Sequence, residues 1–463
     1  MKSYDIIVLG AGPGGYVAAI RAAQLEKKTA IIESRHIGGV CLNEGCIPTK
    51  NLMKNAEILY DIKKGPLRGI DFDRMSVDMQ KMIDVKNRTV KQLVSGVNLL
   101  LKSNEVDIYD GFGIAKKDKT IEVKLNSGGS EMIAFQNLIV ATGSSPLILR
   151  GMETDGHQIM DSTQMLDLTE IPKQLVIIGG GVVGCEMATI WNALGSKVTI
   201  VEMASQLVPA IDRDVADALR KSLAGKKVKV LLNYKVESMT AQNSGIKIQI
   251  NGADPLELQA DKVLMSVGRR ANLAGLEDLG LEMAGGYVKV DSHMRTNRPD
   301  IFAIGDVTGK LMLAHVASAQ GVLAAETATG IETTPLNMDA VPSCLYTLPE
   351  IGSVGLTEDE ARKKYSEVLV GRFPLVASGK AVAMGETQGL FKVIARKDNG
   401  KIVGAHIMAP AATEIIAELT LAVKMGVSMK ALSNTIHAHP TISECVMEAA
   451  NDAFGQCINM PKS

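Results

Sequence analysis

Two segments of the chain repeat one pattern, and this repeat limits the possible folds more than any other feature of the sequence. "DIIVLGAGPGG" (5–15) and "QLVIIGGGVVG" (174–184) are apolar stretches that run into a glycine-rich turn. Each turn is followed by a segment with helical periodicity and then by a short β-branched stretch, which ends at Glu33 in one copy and at Glu202 in the other. From first glycine to glutamate is 23 residues in both copies, from 10 to 33 and from 179 to 202. The repeat therefore predicts two βαβ units.

The spacing of the glycines in the two turns is typical of dinucleotide binding. The glycines are Gly10, Gly12 and Gly15 in the first turn and Gly179, Gly181 and Gly184 in the second. In such a turn the first glycine allows the sharp bend, the second lets a pyrophosphate approach, and the third lets helix and strand pack closely. The alternative is a tight strand–helix turn that binds no ligand. Because strand, helix and acidic residue accompany the glycines twice, the sequence favours two nucleotide sites over this alternative.

The acidic residue that ends the second copy indicates which nicotinamide nucleotide binds there. A carboxylate accepts hydrogen bonds from a ribose 2′-hydroxyl and repels a 2′-phosphate, for which a site usually supplies arginine. Glu202 stands in "VEMASQL", which contains no arginine. The sequence therefore predicts NAD rather than NADP.

The rest of the chain divides around these two units. "NLIVATGSSP" and "KVLMSVGRRAN" predict the strands that close them, a long helical pattern runs from about 50 to 101, and "IFAIGDV" predicts a further strand. From about residue 340 the pattern changes to alternating strands with a "DNG" hairpin turn, typical of an α+β domain. The predicted fold class is α/β, with two Rossmann-like dinucleotide-binding domains, a central region and a C-terminal α+β domain. The predicted boundaries are 1–145 for the first dinucleotide-binding domain, 146–270 for the second, 271–340 for the central domain and 341–463 for the C-terminal domain.

Charge and composition argue against several classes of protein. The 463 residues carry a formal net charge of −1 without a basic run, and aromatic residues are only 3%, so neither nucleic acid nor an anionic membrane is an expected partner. The apolar stretch 175–191 is short, glycine-rich and interrupted by Glu186, which argues against a membrane span. Six cysteines are too few for a disulfide scaffold. We expect a bacterial cytoplasmic protein, or a processed form from the mitochondrial matrix, which would look the same.

Two of the six cysteines, Cys41 and Cys46, lie close together in "GGVCLNEGCIPTK". On a regular helix five residues rise about 7.5 Å, which exceeds the usual Cα separation of a disulfide, about 4.4–6.8 Å. The flanking glycines and Pro48 predict a distorted helix start, which would bring the sulfurs together. Structural zinc needs four ligands, and no second Cys or His pair is evident, so the sequence predicts no metal site. A redox disulfide is favoured over zinc and over two inert thiols.

These motifs, taken in order, resemble the pyridine-nucleotide disulfide oxidoreductases, and most closely their dihydrolipoamide dehydrogenase branch. The resemblance extends over essentially the full length, through "GAGPGGY", "GGVCLNEGCIPTK", "ATGSSP", "GGGVVGCE", "VGRRAN", "IFAIGDV" and "HAHPTISE". It implies FAD in the first unit, NAD in the second, and a homodimer. The implied FAD contacts are Gly10, Gly12, Gly14, Gly15, Glu33, Gly39, Lys50, Gly113, Thr142, Gly143, Ser144, Asp306, Met312, Leu313, Ala314 and His315. The implied NAD contacts are Gly179, Gly181, Val182, Val183, Gly184, Glu186, Glu202, Val236 and Gly268.

The resemblance also implies catalytic roles. Cys46 would face the flavin and Cys41 would exchange with the substrate, Lys50 would lie near the flavin and pair with Glu186, and His439 with Glu444 would supply the base. Dithiol oxidation needs a base, and a carboxylate on one imidazole nitrogen leaves the other nitrogen to accept a proton. A lone histidine is usually structural, and for the neighbouring His437 this interpretation is kept.

The implied activity is oxidation of protein-bound dihydrolipoamide to lipoamide with NAD as acceptor. The implied partners are lipoyl domains of an acyltransferase or glycine cleavage protein, and the core subunit of a 2-oxo-acid dehydrogenase complex. Two alternatives stay open: an NAD(P)H-dependent reductase of another low-molecular-weight disulfide, and a flavoprotein subunit with a mainly structural role. Glu44 stands in the cysteine loop where related sequences usually have an apolar residue, and Cys185, Cys344, Cys445 and Cys457 have no assigned role.

Overall fold

The structure, a computed structural model, describes residues 1–242 and 245–461. Its strands are β1 (Lys2–Leu9), β2 (Thr29–Glu33), β3 (Asp107–Ala115), β4 (Thr120–Leu125), β5 (Ser130–Val140), β6 (Ser144–Pro146), β7 (Ile159–Met160), β8 (Gln174–Ile178), β9 (Lys197–Glu202), β10 (Lys229–Leu232), β11 (Lys235–Gln242), β12 (Gly245–Asn251), β13 (Leu256–Ala260), β14 (Lys262–Met265), β15 (Arg269–Ala271), β16 (Met283–Ala284), β17 (Tyr287–Val288), β18 (Ile301–Ala303), β19 (Pro342–Leu345), β20 (Glu350–Gly355), β21 (Val368–Pro374), β22 (Leu390–Arg396) and β23 (Ile402–Ala409). Its α-helices are α1 (Pro13–Gln24), α2 (Gly39–Asn43), α3 (Cys46–Lys64), α4 (Met79–Ser103), α5 (Ser162–Met165), α6 (Val182–Leu194), α7 (Arg213–Gly225), α8 (Ala314–Ala328), α9 (Glu358–Lys364), α10 (Gly379–Met384), α11 (Ala412–Met425), α12 (Met429–Ser433) and α13 (Glu444–Asp452).

One compact unit combines Met1–Asn51, Gln80–Leu147 and Gly268–Leu336. In its main sheet β1 pairs in parallel with β2 and β5, β2 pairs in parallel with β3, and β18 pairs in parallel with β5. Strand β4 lies antiparallel between β3 and β5. Helices α1 and α8 pack closely where Gly321 faces Gly14. A Cβ at Gly321 would lie only 2.5 Å from the Gly14 carbonyl oxygen, so this crossing requires glycine.

The other unit combines Leu52–Met79, Ile148–Val267 and the chain from Asn337 onward. It contains a parallel sheet in the order β10-β9-β8-β14-β7, which carries the second glycine turn, and a small antiparallel sheet of β11, β12 and β13. The C-terminal sheet has the order β19-β20-β23-β22-β21 and is antiparallel. Its core is formed with α11 and α13, around side chains such as Phe391, Ile407 and Leu419. The predicted α/β class with a C-terminal α+β domain is confirmed.

One predicted element differs in the structure. The helical pattern from about 50 to 101 is divided between α3 and α4, with a 3₁₀ turn over Gly65–Arg68 after α3. Pro66 supplies no N–H to continue α3, and Gly69 adopts a left-handed conformation with φ of 75°. None of the described helices is long and apolar enough to cross a membrane.

Candidate active site

The first glycine turn has the geometry of a nucleotide site. Gly10 has φ of 103°, and a Cβ on it would lie 2.3 Å from the Ala141 carbonyl oxygen, while a Cβ on Gly15 would lie 1.9 Å from the Gly10 oxygen. Gly12, at the N-terminus of α1, has no atom within 4 Å of its Cβ position. No side chain caps α1, and no acidic residue lies in its first turn. The helix therefore presents backbone N–H groups and its positive dipole end beside an open glycine, which suits a pyrophosphate.

The second glycine turn has the same geometry. A Cβ on Gly179 would lie 2.2 Å from the Ser266 oxygen, and one on Gly184 would lie 2.0 Å from the Gly179 oxygen. Gly181 is open within 4 Å of its Cβ position, and α6 likewise begins without a side-chain cap or an acidic residue in its first turn. The two turns thus present equivalent sites for pyrophosphate.

The two predicted ribose carboxylates are also held alike. Glu33 accepts hydrogen bonds from the backbone N–H groups of Ala11 and Arg35, each at 2.8 Å. Glu202 accepts from the N–H groups of Gly180 at 2.6 Å and Ala204 at 2.7 Å. In each copy one bond reaches the residue after the first glycine and the other reaches the residue two positions after the glutamate. The backbone thus fixes each carboxylate beside its glycine turn, with lone pairs left for ribose hydroxyls.

Asp306, predicted to bind FAD, belongs to a polar cluster in the first unit. The Ser144 hydroxyl donates to Asp306 Oδ2, and Arg269 Nε donates to Ser144 Oγ at 2.7 Å and lies 3.9 Å from Asp306. Sequence reasoning missed Arg269, although the "VGRRAN" motif contains it. Asn272, from the same motif, donates to the Thr142 carbonyl at 3.0 Å and was also missed.

The other predicted cofactor residues have varied surroundings. Gly113 lies on β3, where a Cβ would meet the Leu9 side chain at 2.5 Å. Four of the residues named for FAD surround the start of α8, namely Met312, Leu313, Ala314 and His315. Val182 and Val183 open α6 with partly exposed side chains, whereas Val236 is buried in the core around β11. Gly268 groups with the first unit.

Glu186 lies on α6 and is only 4% exposed. Its Oε1 accepts a hydrogen bond from the Tyr346 backbone N–H at 3.0 Å, which partly compensates for burial of the carboxylate. Its pairing with Lys50 stays a prediction.

Cys41 and Cys46 come together because the helix between them is interrupted. Cys41 lies in α2, which ends at Asn43, and Cys46 begins α3. The two thiols share a hydrogen bond, and this bond, followed by burial, raises the pKa of Cys41, while the charge of Lys50 opposes the rise. The Cys41 thiol is therefore harder to ionise than an exposed cysteine. The hydrogen bond places the two sulfurs in contact, as thiol–disulfide exchange between them requires.

The unusual Glu44 in this loop has an ion partner. Its carboxylate pairs with the Arg35 guanidinium, and its side chain is only 14% exposed, against 61% for Arg35. The Arg35 backbone N–H in turn binds Glu33. The charge of Glu44 is therefore neutralised locally.

Three further cysteines, Cys185, Cys445 and Cys457, lack the surroundings of reactive thiols. Cys185 is fully buried, and its thiol lies 3.4 Å from the Gly180 oxygen. Burial raises the pKa of Cys445 to about 11 and, together with the neighbouring Glu448, that of Cys457 to about 12. At neutral pH these thiols stay protonated, so they are poor nucleophiles.

His439 and Glu444 form a dyad in the C-terminal domain. His439 Nδ1 lies 2.8 Å from Glu444 Oε1, and the imidazole is 79% exposed. Glu444 Oε2 accepts from the Thr441 backbone N–H at 2.8 Å. Burial opposes ionisation of Glu444, but the Thr441 N–H and His439 together lower its pKa. An ionised Glu444 selects the tautomer with hydrogen on Nδ1, which leaves Nε2 of this exposed ring able to accept a proton.

Two dinucleotide turns, a pair of interacting thiols and a histidine–carboxylate dyad define a class of protein, the flavoprotein disulfide oxidoreductases. Comparison with known families agrees. Residues 4–321 match the family described as "Pyridine nucleotide-disulphide oxidoreductase", and residues 341–450 match its dimerisation domain. The chain belongs to the pyridine nucleotide-disulphide oxidoreductase family.

The chain is similar to curated proteins over nearly its whole length. A Bacillus subtilis protein named dihydrolipoyl dehydrogenase is 38% identical, covering 98% of this chain and 99% of that protein. One of the same name from Thermus scotoductus is 42% identical over 99% of each. Among solved structures, LpdA from Mycobacterium tuberculosis has a TM-score of 0.89 at 27% identity, covering 97% of this chain and 99% of that one. The Escherichia coli protein described as the HOCl-induced flavoprotein disulfide reductase RclA has a TM-score of 0.86 at 27% identity, with the same coverage.

Proposed function

We propose that this protein is an FAD-containing, NAD-dependent dihydrolipoyl dehydrogenase. The observation that carries the proposal is the thiol pair of Cys41 and Cys46, hydrogen-bonded at an interrupted helix in the same unit as the first glycine turn. The names of the full-length relatives support the substrate class. The two glycine turns and their glutamates fit two dinucleotides, and Glu202 favours NAD because its charge repels a 2′-phosphate.

The protein residues would carry out thiol–disulfide exchange. A substrate thiolate attacks the sulfur of Cys41 in the oxidised pair, the S–S bond breaks, and Cys46 leaves as a thiolate. The second substrate thiol then displaces Cys41, which takes up a proton, so that the substrate becomes the cyclic disulfide. His439 Nε2 accepts the proton that the first substrate thiol gives up when it becomes the attacking thiolate, and Glu444 stabilises the resulting imidazolium. When bound, FAD and NAD supply the redox chemistry that carries the electron pair away.

The proposed assembly is a homodimer. The match to the family's dimerisation domain, residues 341–450, supports it, and this segment contains His439 and Glu444. The base of one chain would then serve the thiol pair of its partner. We further propose a lipoyl domain as substrate carrier, and membership of a 2-oxo-acid dehydrogenase or glycine cleavage complex. The proposed place of action is the bacterial cytoplasm, or the mitochondrial matrix if the source is eukaryotic; relatives named mitochondrial occur in Dictyostelium discoideum and Arabidopsis thaliana.

Paired turnover assays test the activity. We expect reduction of NAD by dihydrolipoamide to exceed reduction of glutathione disulfide by NADPH. The reverse preference would instead support a reductase of a low-molecular-weight disulfide. Loss of both activities with retained flavin would support a mainly structural flavoprotein subunit.

Substitution His439→Gln tests the base. Since removal of a general base typically costs about 10²–10⁴-fold in rate, dihydrolipoamide turnover should fall by that factor. The flavin content, measured from absorbance per protein, should be unchanged. His293→Gln is the control, because the His293 ring is hydrogen-bonded to Ser292 and to the Thr333 carbonyl, which are not part of the proposed site. Near-normal dithiol turnover in His439→Gln would refute the assigned role.

A further inference from the structure

A second histidine–carboxylate pair lies in the segment that carries His439. His437 and His439 both belong to the loop between α12 and α13. The His437 side chain is only 6% exposed, in contrast to the open imidazole of His439. Its Nε2 lies 3.1 Å from Glu418 Oε1 and 3.3 Å from Oε2, and its Nδ1 lies 3.0 Å from the Thr435 carbonyl oxygen. Glu418 projects from α11.

These contacts determine the charge on His437. A carbonyl oxygen and an ionised carboxylate are both acceptors, so each ring nitrogen must donate a hydrogen. A neutral imidazole has only one N–H and would leave a lone pair against an oxygen in a buried site. When the Glu418 carboxylate is ionised, only the imidazolium form satisfies both contacts.

This charge lies beside the proposed base. The charged groups that act on His437 are Glu418 from α11 and Glu444 from α13. Glu444 is the carboxylate that orients His439. The positive charge of His437, in the loop between α12 and α13, thus acts on two negative charges, Glu418 on α11 and Glu444 at the start of α13.

We propose that His437 is a positioning residue: as an imidazolium paired with Glu418, it fixes the loop in which Glu444 orients His439 for dithiol oxidation. The inference rests on the proposed function, which it deepens by naming what holds the base in place. The Glu418 hydrogen bond raises the pKa of His437, burial opposes it, and the Glu418 charge, the Thr435 carbonyl and Glu444 add to the rise. The folded-state pKa of His437 therefore lies above its unfolded-state pKa. The ion pair contributes its full stabilisation of the loop at pH values below the unfolded-state pKa, and this contribution is lost as pH rises through the folded-state pKa.

A direct test of the charge is ¹⁵N NMR of the flavin-bound enzyme labelled in histidine, with His437→Gln to assign the signal. We expect both ring nitrogens of His437 to show imidazolium shifts at pH 7, with a titration midpoint above the ordinary histidine value. In Glu418→Gln that titration should move to lower pH. A neutral His437 at pH 7 would overturn the inference whatever the enzyme's activity.

The positioning role is tested by pH profiles of kcat/KM for dihydrolipoamide. Because each substitution removes one partner of a charge-assisted hydrogen bond, kcat/KM at pH 7 should fall about tenfold in Glu418→Gln and in His437→Gln. The double variant should lose little more than either single one. The alkaline decline of Glu418→Gln should begin at lower pH than in the wild type. Glu414→Gln is the matched control, since Glu414 is exposed on the same helix one turn earlier.

The outcomes separate the two proposals. If the wild type does not oxidise dihydrolipoamide, the proposed function fails while the NMR test of His437 still stands. If the wild type is active and Glu418→Gln has the pH profile of Glu414→Gln, the positioning role fails alone. Flavin content and thermal midpoint report folding of each variant, and Glu418→Asp, which keeps the charge, should recover part of the activity.

Discussion

At the scale of single residues, the two ribose glutamates make the nucleotide specificity testable. Both carboxylate oxygens of Glu202 accept hydrogen bonds from backbone N–H groups, those of Gly180 and Ala204. In Glu202→Gln the side-chain NH₂ group would replace one of these oxygens, so that two donors would face each other. An unsatisfied donor costs about 1–3 kcal/mol, so kcat/KM for NAD should fall about tenfold. Because the repelling charge is gone, the ratio of NADP to NAD use should rise.

The same change in the first unit provides the control. Glu33 is held by equivalent bonds from Ala11 and Arg35, so Glu33→Gln should reduce flavin retention. In the molecules that keep flavin, the ratio of NADP to NAD use should match the wild type. An unchanged ratio in Glu202→Gln, measured by initial rates with both nucleotides, would contradict the assignment of the second site.

Sequence reasoning found the residues that sit in short local patterns. Glycine turns and the terminal glutamates follow from backbone geometry within a single βαβ unit, so spacing alone identifies them. Arg269 was missed because its partners Ser144 and Asp306 are more than 30 residues away in either direction along the chain. The ion pair of His437 was missed because Glu418 lies on α11, 19 positions earlier in the chain, and a lone histidine carries no local signal.

At the scale of elements, the start of α2 meets the start of α1. Gly39 has φ of 57°, and a Cβ on it would lie 2.6 Å from Gly12 Cα. The contact is backbone against Cβ, so no side chain can move to relieve it. Gly39→Ala should therefore push the redox loop away from the first glycine turn and lower the flavin content at purification.

A glycine elsewhere separates this clash from simple backbone strain. Gly128 also has positive φ, 98°, but nothing lies within 4 Å of its Cβ position. Both substitutions incur the left-handed penalty of about 1–2 kcal/mol, but only Gly39→Ala adds the clash. Gly128→Ala should keep its flavin. Equal flavin content in the two variants, measured by absorbance, would show that the close approach is unimportant.

The helices and strands themselves were predictable to different degrees. The βαβ strands were recognised because buried parallel strands form continuous apolar runs between turn signals. The helical pattern across 50–101 was treated as one stretch because its apolar periodicity resumes after the break. The break contains Gly65, Pro66 and Gly69. Glycine and proline therefore end the helix here although the apolar periodicity continues beyond them.

At the scale of the whole molecule, a buried ion cluster joins the second nucleotide-binding segment to the C-terminal domain within one unit. Lys392 on β22 is 2% exposed, and its Nζ lies 2.7 Å from Asp212, 2.9 Å from Asp214 and 2.7 Å from Glu358. Asp212 caps α7 through the Asp214 N–H, and it also accepts from the Glu358 N–H at 3.0 Å. Arg372 on β21 pairs with Asp214 and Glu358. No local sequence pattern predicts this cluster, because its members are separated by up to 180 positions along the chain.

Removing Lys392 should lower the free energy of unfolding more than removing one partner of an exposed ion pair does. Breaking a buried ion pair by deleting one partner costs about 3–5 kcal/mol, because the carboxylates left behind are uncompensated. Lys392→Met should therefore unfold at clearly lower urea concentration, monitored by tryptophan fluorescence and flavin release. Lys397→Met is the control: Lys397 pairs with Glu367 at 2.8 Å, but the side chains are 53% and 66% exposed, and such pairs contribute about 0–1 kcal/mol.

The difference between Lys392→Met and the wild type should itself depend on pH. Burial works against ionisation of Asp214 and Glu358, but their bonds to Lys392 and the nearby arginines lower both pKa values below the ordinary 3.8 and 4.5. Groups with a depressed folded-state pKa stabilise above the unfolded value, and the contribution is lost as pH falls through the folded one. The stability gap should thus be full at pH 7 and shrink below about pH 4, where protonated carboxylates no longer need the lysine. A gap at pH 7 no larger than that of Lys397→Met, or one that stays constant into acid, would mean that the cluster does not stabilise the fold through its charges.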